Sequence, residues 1–136
     1  ELREALKHYS ERVVRTWVTR RNHGQMTQPD GLGTAASDCQ DTITIQLRVR
    51  GGRVMDALFV SEGCGATFAC GSAAAELARG RTVEELLLVE PQDVLAELDG
   101  LPEHNEHCAD MGAEALRRAA QDLLRTNQTP WKRLYR

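Results

Sequence analysis

The sequence predicts helices arranged around a small antiparallel sheet, and three patterns support this. Residues 43–49 alternate apolar and polar, Gly51-Gly52 follows, and Val54 to Val60 returns, the signature of a tight hairpin. Leu2, Leu6, Tyr9, Val13 and Trp17 recur at steps of four and three, one stripe of a helix. Two longer helical runs, Thr67 to Leu77 and Ala109 to Leu124, follow the hairpin.

A turn centred on Gly51-Gly52 sets Val49 against Val54, Ile45 against Leu58 and Ile43 against Val60. Extended past the strand ends, that register places Cys39 across from Cys64. A one-residue slip would move one apolar side to the wrong face.

In chain order, the opening stripe belongs to a helix docked on the sheet or on a partner, and Asn22-His23-Gly24 stops it. The run from Thr27 to Asp38 is rich in Gly, Pro, Ser, Thr and Asp. It reads as a short edge strand, then a loop leading into Cys39. After the hairpin, the helix that follows Cys64 ends at Gly80. Thr82 with Glu85 is a capping box for a short helix through Leu88, and Pro91 opens another through Leu98, closed by Gly100. Leu101-Pro102 starts a loop into His107-Cys108 and the last helix.

The chain has 136 residues, enough for one domain with a modest core. It reads as a single domain over 1–136, with a core of about 9–125 and a basic tail, 126–136, carrying Trp131, Lys132 and Arg133. A net charge of −3 and a pI near 5.8 argue against a general nucleic-acid role. No apolar run approaches the roughly 20 residues of a membrane span, and no signal-peptide pattern opens the chain. Four cysteines without a disulfide-dense composition point to a reducing, cytoplasmic compartment.

Three cysteines stand apart from the fourth. Cys64 lies between glycines at a helix start, Cys108 opens the last helix beside His107, and Cys39 precedes the first hairpin strand by a few residues. Helix starts favour thiolates, and gathered thiolates hold metals or carry sulfur. Cys39, Asp41, Cys64, His107 and Cys108 are therefore the candidate metal ligands. Cys70, among alanines inside a helix, reads as core packing. His8, His23 and His104 read as surface residues. Three thiolates favour zinc, copper(I) or an iron–sulfur cluster. The fourth place falls to Asp41 or His107; a carboxylate there is a hard ligand and a poor match for cluster iron, and that mismatch makes a bound cluster labile. Cys108 combines a helix dipole, a neighbouring imidazole and an expected open approach, which makes it the expected persulfide acceptor.

These residues also carry a family resemblance. Tyr9-Ser10-Glu11-Arg12-Val13 and Arg21-Asn22-x-Gly24, Cys39-x-Asp41, Asp56-Ala57-x-Phe59, Gly63-Cys64-Gly65, Glu76, Gly80, Thr82 with Glu84-Glu85, Leu101-Pro102 and His107-Cys108 resemble the motifs of the U-type iron–sulfur cluster assembly scaffolds, IscU and the N-terminal domain of NifU. The likeness runs from about Tyr9 to Leu124. It implies an α+β fold, a small three-stranded antiparallel sheet with helices packed on one face (IscU/SufE-like). It implies a scaffold and sulfur acceptor rather than an enzyme. On it a [2Fe–2S] cluster is built from iron and sulfur on Cys39, Cys64 and Cys108, with Asp41 or His107 completing the shell, and zinc can fill the cluster-free site. By the same resemblance Cys108 takes the persulfide. The implied partners are a cysteine desulfurase, a frataxin-type regulator or ferredoxin, and apo-iron–sulfur acceptors.

Three departures stand out. Arg20 replaces the family's proline in the opening turn. Gln40 replaces the glycine after the first cysteine. Leu101-Pro102-Glu103-His104-Asn105 replaces the Leu-Pro-Pro-Val-Lys motif that an Hsp70-type chaperone recognises, which argues against chaperone docking. Two rival readings use the same residues: a zinc-dependent sulfurtransferase partner of a desulfurase (SufU-like), and a metal-dependent hydrolase with Asp41 as base. The segment between Cys64 and Cys108 lacks the insertion of the SufU branch, which favours the scaffold.

Overall fold

The computed structural model describes residues 2–38 and 40–128, with side chains from 4 to 126 except Cys39. Cys39 and the tail residues Trp131, Lys132 and Arg133 lie outside the described residues.

Three strands form one antiparallel sheet in the order β1 (Gly31–Ala36), β2 (Thr42–Arg50), β3 (Arg53–Glu62). Gly51 and Gly52, both at positive φ, make the β2–β3 turn. The tight end keeps the expected register, with Val49 opposite Val54. Beyond it the register shifts, because Met55 is an extra residue on β3: Arg48 pairs with Asp56, Ile45 with Phe59 and Ile43 with Ser61. The expected partners Leu58 and Val60 therefore do not face Ile45 and Ile43. The bulge turns Ala57 and Phe59 inward, to join Ile43, Ile45 and Leu47 in the core, and leaves Met55 half exposed.

Among the described residues there are six α-helices: α1 (Leu2–His8), α2 (Glu11–Thr19), α3 (Gly65–Ala78), α4 (Val83–Leu87), α5 (Pro91–Glu97) and α6 (His107–Gln128). The long helices α3 and α6 cover the face of Ile43, Ile45, Leu47, Ala57 and Phe59, and pack against each other. No helix among the described residues is long and apolar enough to cross a membrane. β1 is the expected edge strand, laid closely against α6.

The opening stripe is two helices rather than one. Ser10 breaks it: its hydroxyl accepts from the Val13 N–H and donates to the Leu98 carbonyl, capping α2 and tying it to the end of α5. The capping box at Thr82–Glu85 and the proline start of α5 are where the sequence places them. The last helix begins earlier than expected, at His107, so Cys108 lies inside it.

Candidate functional site

The site forms where the open end of the hairpin meets the starts of α3 and α6. Gly63 ends the hairpin at φ 143, a conformation that L side chains rarely adopt, and a Cβ there would sit 2.7 Å from Asp41 Cγ. Glycine is thus what lets the Asp41 carboxylate rest against the loop. Cys64 is the N-cap of α3. Gly65 faces the Trp17 indole, whose Nε1 donates to the Gly65 carbonyl at 2.8 Å. A Cβ on Gly65 would sit 2.9 Å from that ring.

Thr67, fully buried, stands at the centre. Its hydroxyl donates to Asp41 Oδ2 at 3.1 Å, and its oxygen lies 3.5 Å from Cys64 Sγ and 3.7 Å from Cys108 Sγ. His107 Nε2 lies 3.7 Å from Cys108 Sγ. Four of the five expected ligands, Asp41, Cys64, His107 and Cys108, thus converge, and Cys39 is two residues from Asp41 along the chain. Among the described residues they are gathered but not closed into a ready metal cage.

The thiols differ in kind. Cys64 is exposed. Burial alone would raise its pKa, but the Thr67 hydroxyl and the Thr67 and Ala66 N–H groups of the first turn outweigh that and lower it, while Asp41 opposes them. Those N–H groups face the sulfur without closing a full capping bond. Cys108 is fully buried. Burial pushes its thiol up to about 11 against the Thr67 hydrogen bond, with Cys64 and Asp41 adding to the rise. The open approach expected for Cys108 is therefore not present, because α6 starts two residues earlier than the expected run and places Cys108 beside Thr67 of α3. Cys70 is core, as expected, and burial raises its pKa further still.

Two of the three departures from the family pattern share a feature. Arg20 has φ 52 and Gln40 φ 68. A proline, locked near −65°, cannot take the Arg20 conformation, so this turn follows its own path. Asn22 then pins the turn: its side chain donates to the Ser72 carbonyl at 3.2 Å and Glu76 Oε1 at 3.1 Å, and accepts from Arg79 at 2.7 Å. Arg79 also pairs with Asp56 at 2.7 Å. The motif residues Asn22, Asp56 and Glu76 thus build the frame rather than the site.

Sequence reasoning missed Thr67, which helical spacing could have revealed, since a residue three past an N-cap faces back toward it. Trp17 was legible only as an apolar stripe residue, and nothing local says that it meets Gly65.

The comparisons bear on the family and the fold. The family described as "NifU-like N terminal domain" matches residues 8–129. Iron-sulfur cluster assembly scaffold protein IscU 1 of Archaeoglobus fulgidus is 39% identical over 120 residues, covering 88% of this chain and 78% of that protein. The N-terminal NifU-like crystal structure from Brucella abortus aligns with TM-score 0.52 and 25% identity, over 90% of this chain and 84% of that one. A Fervidobacterium islandicum structure, described as a candidate scaffold for the SUF system, shares the fold at TM-score 0.54 and 17% identity, over 85% and 93% of the two chains. The chain belongs to the NifU-like N-terminal domain family, the U-type scaffold family to which its motifs point.

Proposed function

We propose that this protein is a scaffold on which a [2Fe–2S] cluster is assembled from iron and sulfur, then passed to apo-acceptor proteins. The observation that carries this reading is the gathering of Cys64, Cys108, Asp41 and His107 at one point, around the Thr67 hydroxyl. Cys39, Cys64 and Cys108 hold the cluster, and Asp41 or His107 completes its shell. Two soft sulfurs beside a hard carboxylate and an imidazole suit a cargo that must leave again. The same donors accept zinc when no cluster is being built.

A cysteine desulfurase supplies the sulfur. Because Cys64 is exposed and Cys108 buried, sulfur enters at Cys64 and Cys108 receives it from there, beside the shared hydroxyl. This reverses the order of arrival expected from sequence and keeps Cys108 as a persulfide carrier. Anaerobic reconstitution with iron, cysteine and a desulfurase tests the function. Wild type should develop the visible absorption of a [2Fe–2S] cluster, and the Cys64→Ser and Cys108→Ser variants should not. Cluster formation of equal yield in both variants would remove the assignment.

A further inference from the structure

We propose that Trp17, Arg20 and Phe68 form an entrance for an anionic persulfide, R–S–S⁻, carried on a cysteine of a donor protein, and lay its outer sulfur on Cys64. This rests on the scaffold reading above and names what the scaffold admits.

Beside Cys64 lies an open pocket of about 380 Å³, lined by Trp17, Arg20, Gly63, Cys64, Gly65 and Phe68. Its size suits a side chain rather than a whole segment. Two walls are aromatic, and the indole is fixed by its bond to the Gly65 carbonyl. The Arg20 guanidinium crosses the mouth, 5.0 Å from the Phe68 ring centre, with Nη2 3.3 Å from His23 Nδ1. The Arg20 backbone is left-handed, at φ 52. Its neighbours on and just past α2 are all neutralised: Arg12 by Glu97, Arg15 by Glu11, Arg21 by Glu76. Among the described residues Arg20 makes no ion pair. The pocket thus joins an exposed sulfur, apolar walls and one uncompensated cation.

A cation in that position favours sulfur transfer. The Cys64 thiolate attacks the outer sulfur of R–S–S⁻, the donor's S–S bond breaks, and R–S⁻ leaves. Cys64 then carries the sulfane sulfur as a persulfide anion. Charge and atoms balance with no proton or outside oxidant. Both reactants are anions, and their repulsion falls when a guanidinium sits between them.

The test compares an anionic with a neutral reagent on the metal-free protein. Iodoacetate and iodoacetamide are reacted with wild type, Arg20→Asn and Arg20→Lys, and the Cys64 peptide is quantified by mass spectrometry. Asparagine tolerates the left-handed backbone, so it removes the charge and keeps the turn. Arg20→Asn should slow iodoacetate about five-fold, the scale of one exposed charge pair, and leave iodoacetamide within about two-fold. Arg20→Lys should stay near wild type. Cysteine persulfide, used as a small donor, should lose transfer in parallel with iodoacetate, and added salt should shrink the difference. Equal slowing of both reagents, no slowing of iodoacetate, or unchanged persulfide transfer would overturn the entrance. These readouts need neither iron nor desulfurase. A failure here leaves the reconstitution result standing, and a failed reconstitution leaves the charge selectivity standing.

Discussion

Thr67 is one turn past Cys64 on α3, and its single hydroxyl proton can serve Asp41 or a sulfur anion, one at a time. That hydroxyl is part of why the Cys64 pKa falls below its ordinary value. Thr67→Val keeps the shape and removes the bond. The pH at which Cys64 begins to react with iodoacetamide should rise in Thr67→Val and return toward wild type in Thr67→Ser. An unchanged profile in the valine variant would mean that the helix N–H groups act alone. Cys108 makes the opposite case. Its folded pKa is raised, to about 11, from an unfolded value near 9. Above the unfolded value the unfolded chain sheds its proton while the folded one keeps it, so stability falls as pH rises from about 9 toward 11. The full loss is on the order of 3 kcal/mol, from the worth of a pKa unit. Denaturant titrations at pH 8 and pH 10.5 should show wild type losing more stability than Cys108→Ala. An equal loss in both proteins would place the alkaline sensitivity elsewhere.

At the scale of elements, the turn after α2 is held by polar contacts rather than by its own propensity. Asn22 meets α3 at Ser72 and Glu76, and Arg79 joins it to Asp56 on β3. Asn22→Ala removes hydrogen bonds to partly buried partners. It should cost about 1–2 kcal/mol, read as a lower denaturation midpoint with unchanged slope. The same change should loosen Trp17 and Arg20 over Cys64, because α2 and this turn carry both. A stability loss below about 0.5 kcal/mol would show that the turn stands without the clamp. The hairpin shows what an element's pattern can and cannot convey. Alternation and Gly51-Gly52 announce two strands and their turn. One bulged residue, Met55, then exchanges which half of β3 faces the core, and no composition rule marks it.

For the whole molecule, the proposed function requires assembly and release at one site. Asp41 is the hard ligand in that proposal, and it is seated on Gly63 and bonded to Thr67. Asp41→Ala should leave the fold intact and slow delivery of the cluster to an apo-acceptor, since a softer or better shielded shell holds iron–sulfur cargo longer. Transfer faster than wild type would show that Asp41 is not the group that makes the cluster labile.

The sequence by itself determined the hairpin, the capped starts of the short helices and the candidate ligands, of which Asp41, Cys64, His107 and Cys108 converge. Each of those rests on local chemistry: caps, glycines, alternation, and thiols set at element ends. The fold decided the rest. It buried Cys108 and exposed Cys64, because α6 begins at His107 and packs its first turn against α3. It brought Thr67 between them and Trp17 and Arg20 beside Cys64. Burial and approach depend on which distant faces meet, and residues about 40 positions apart reveal that only once the chain has packed.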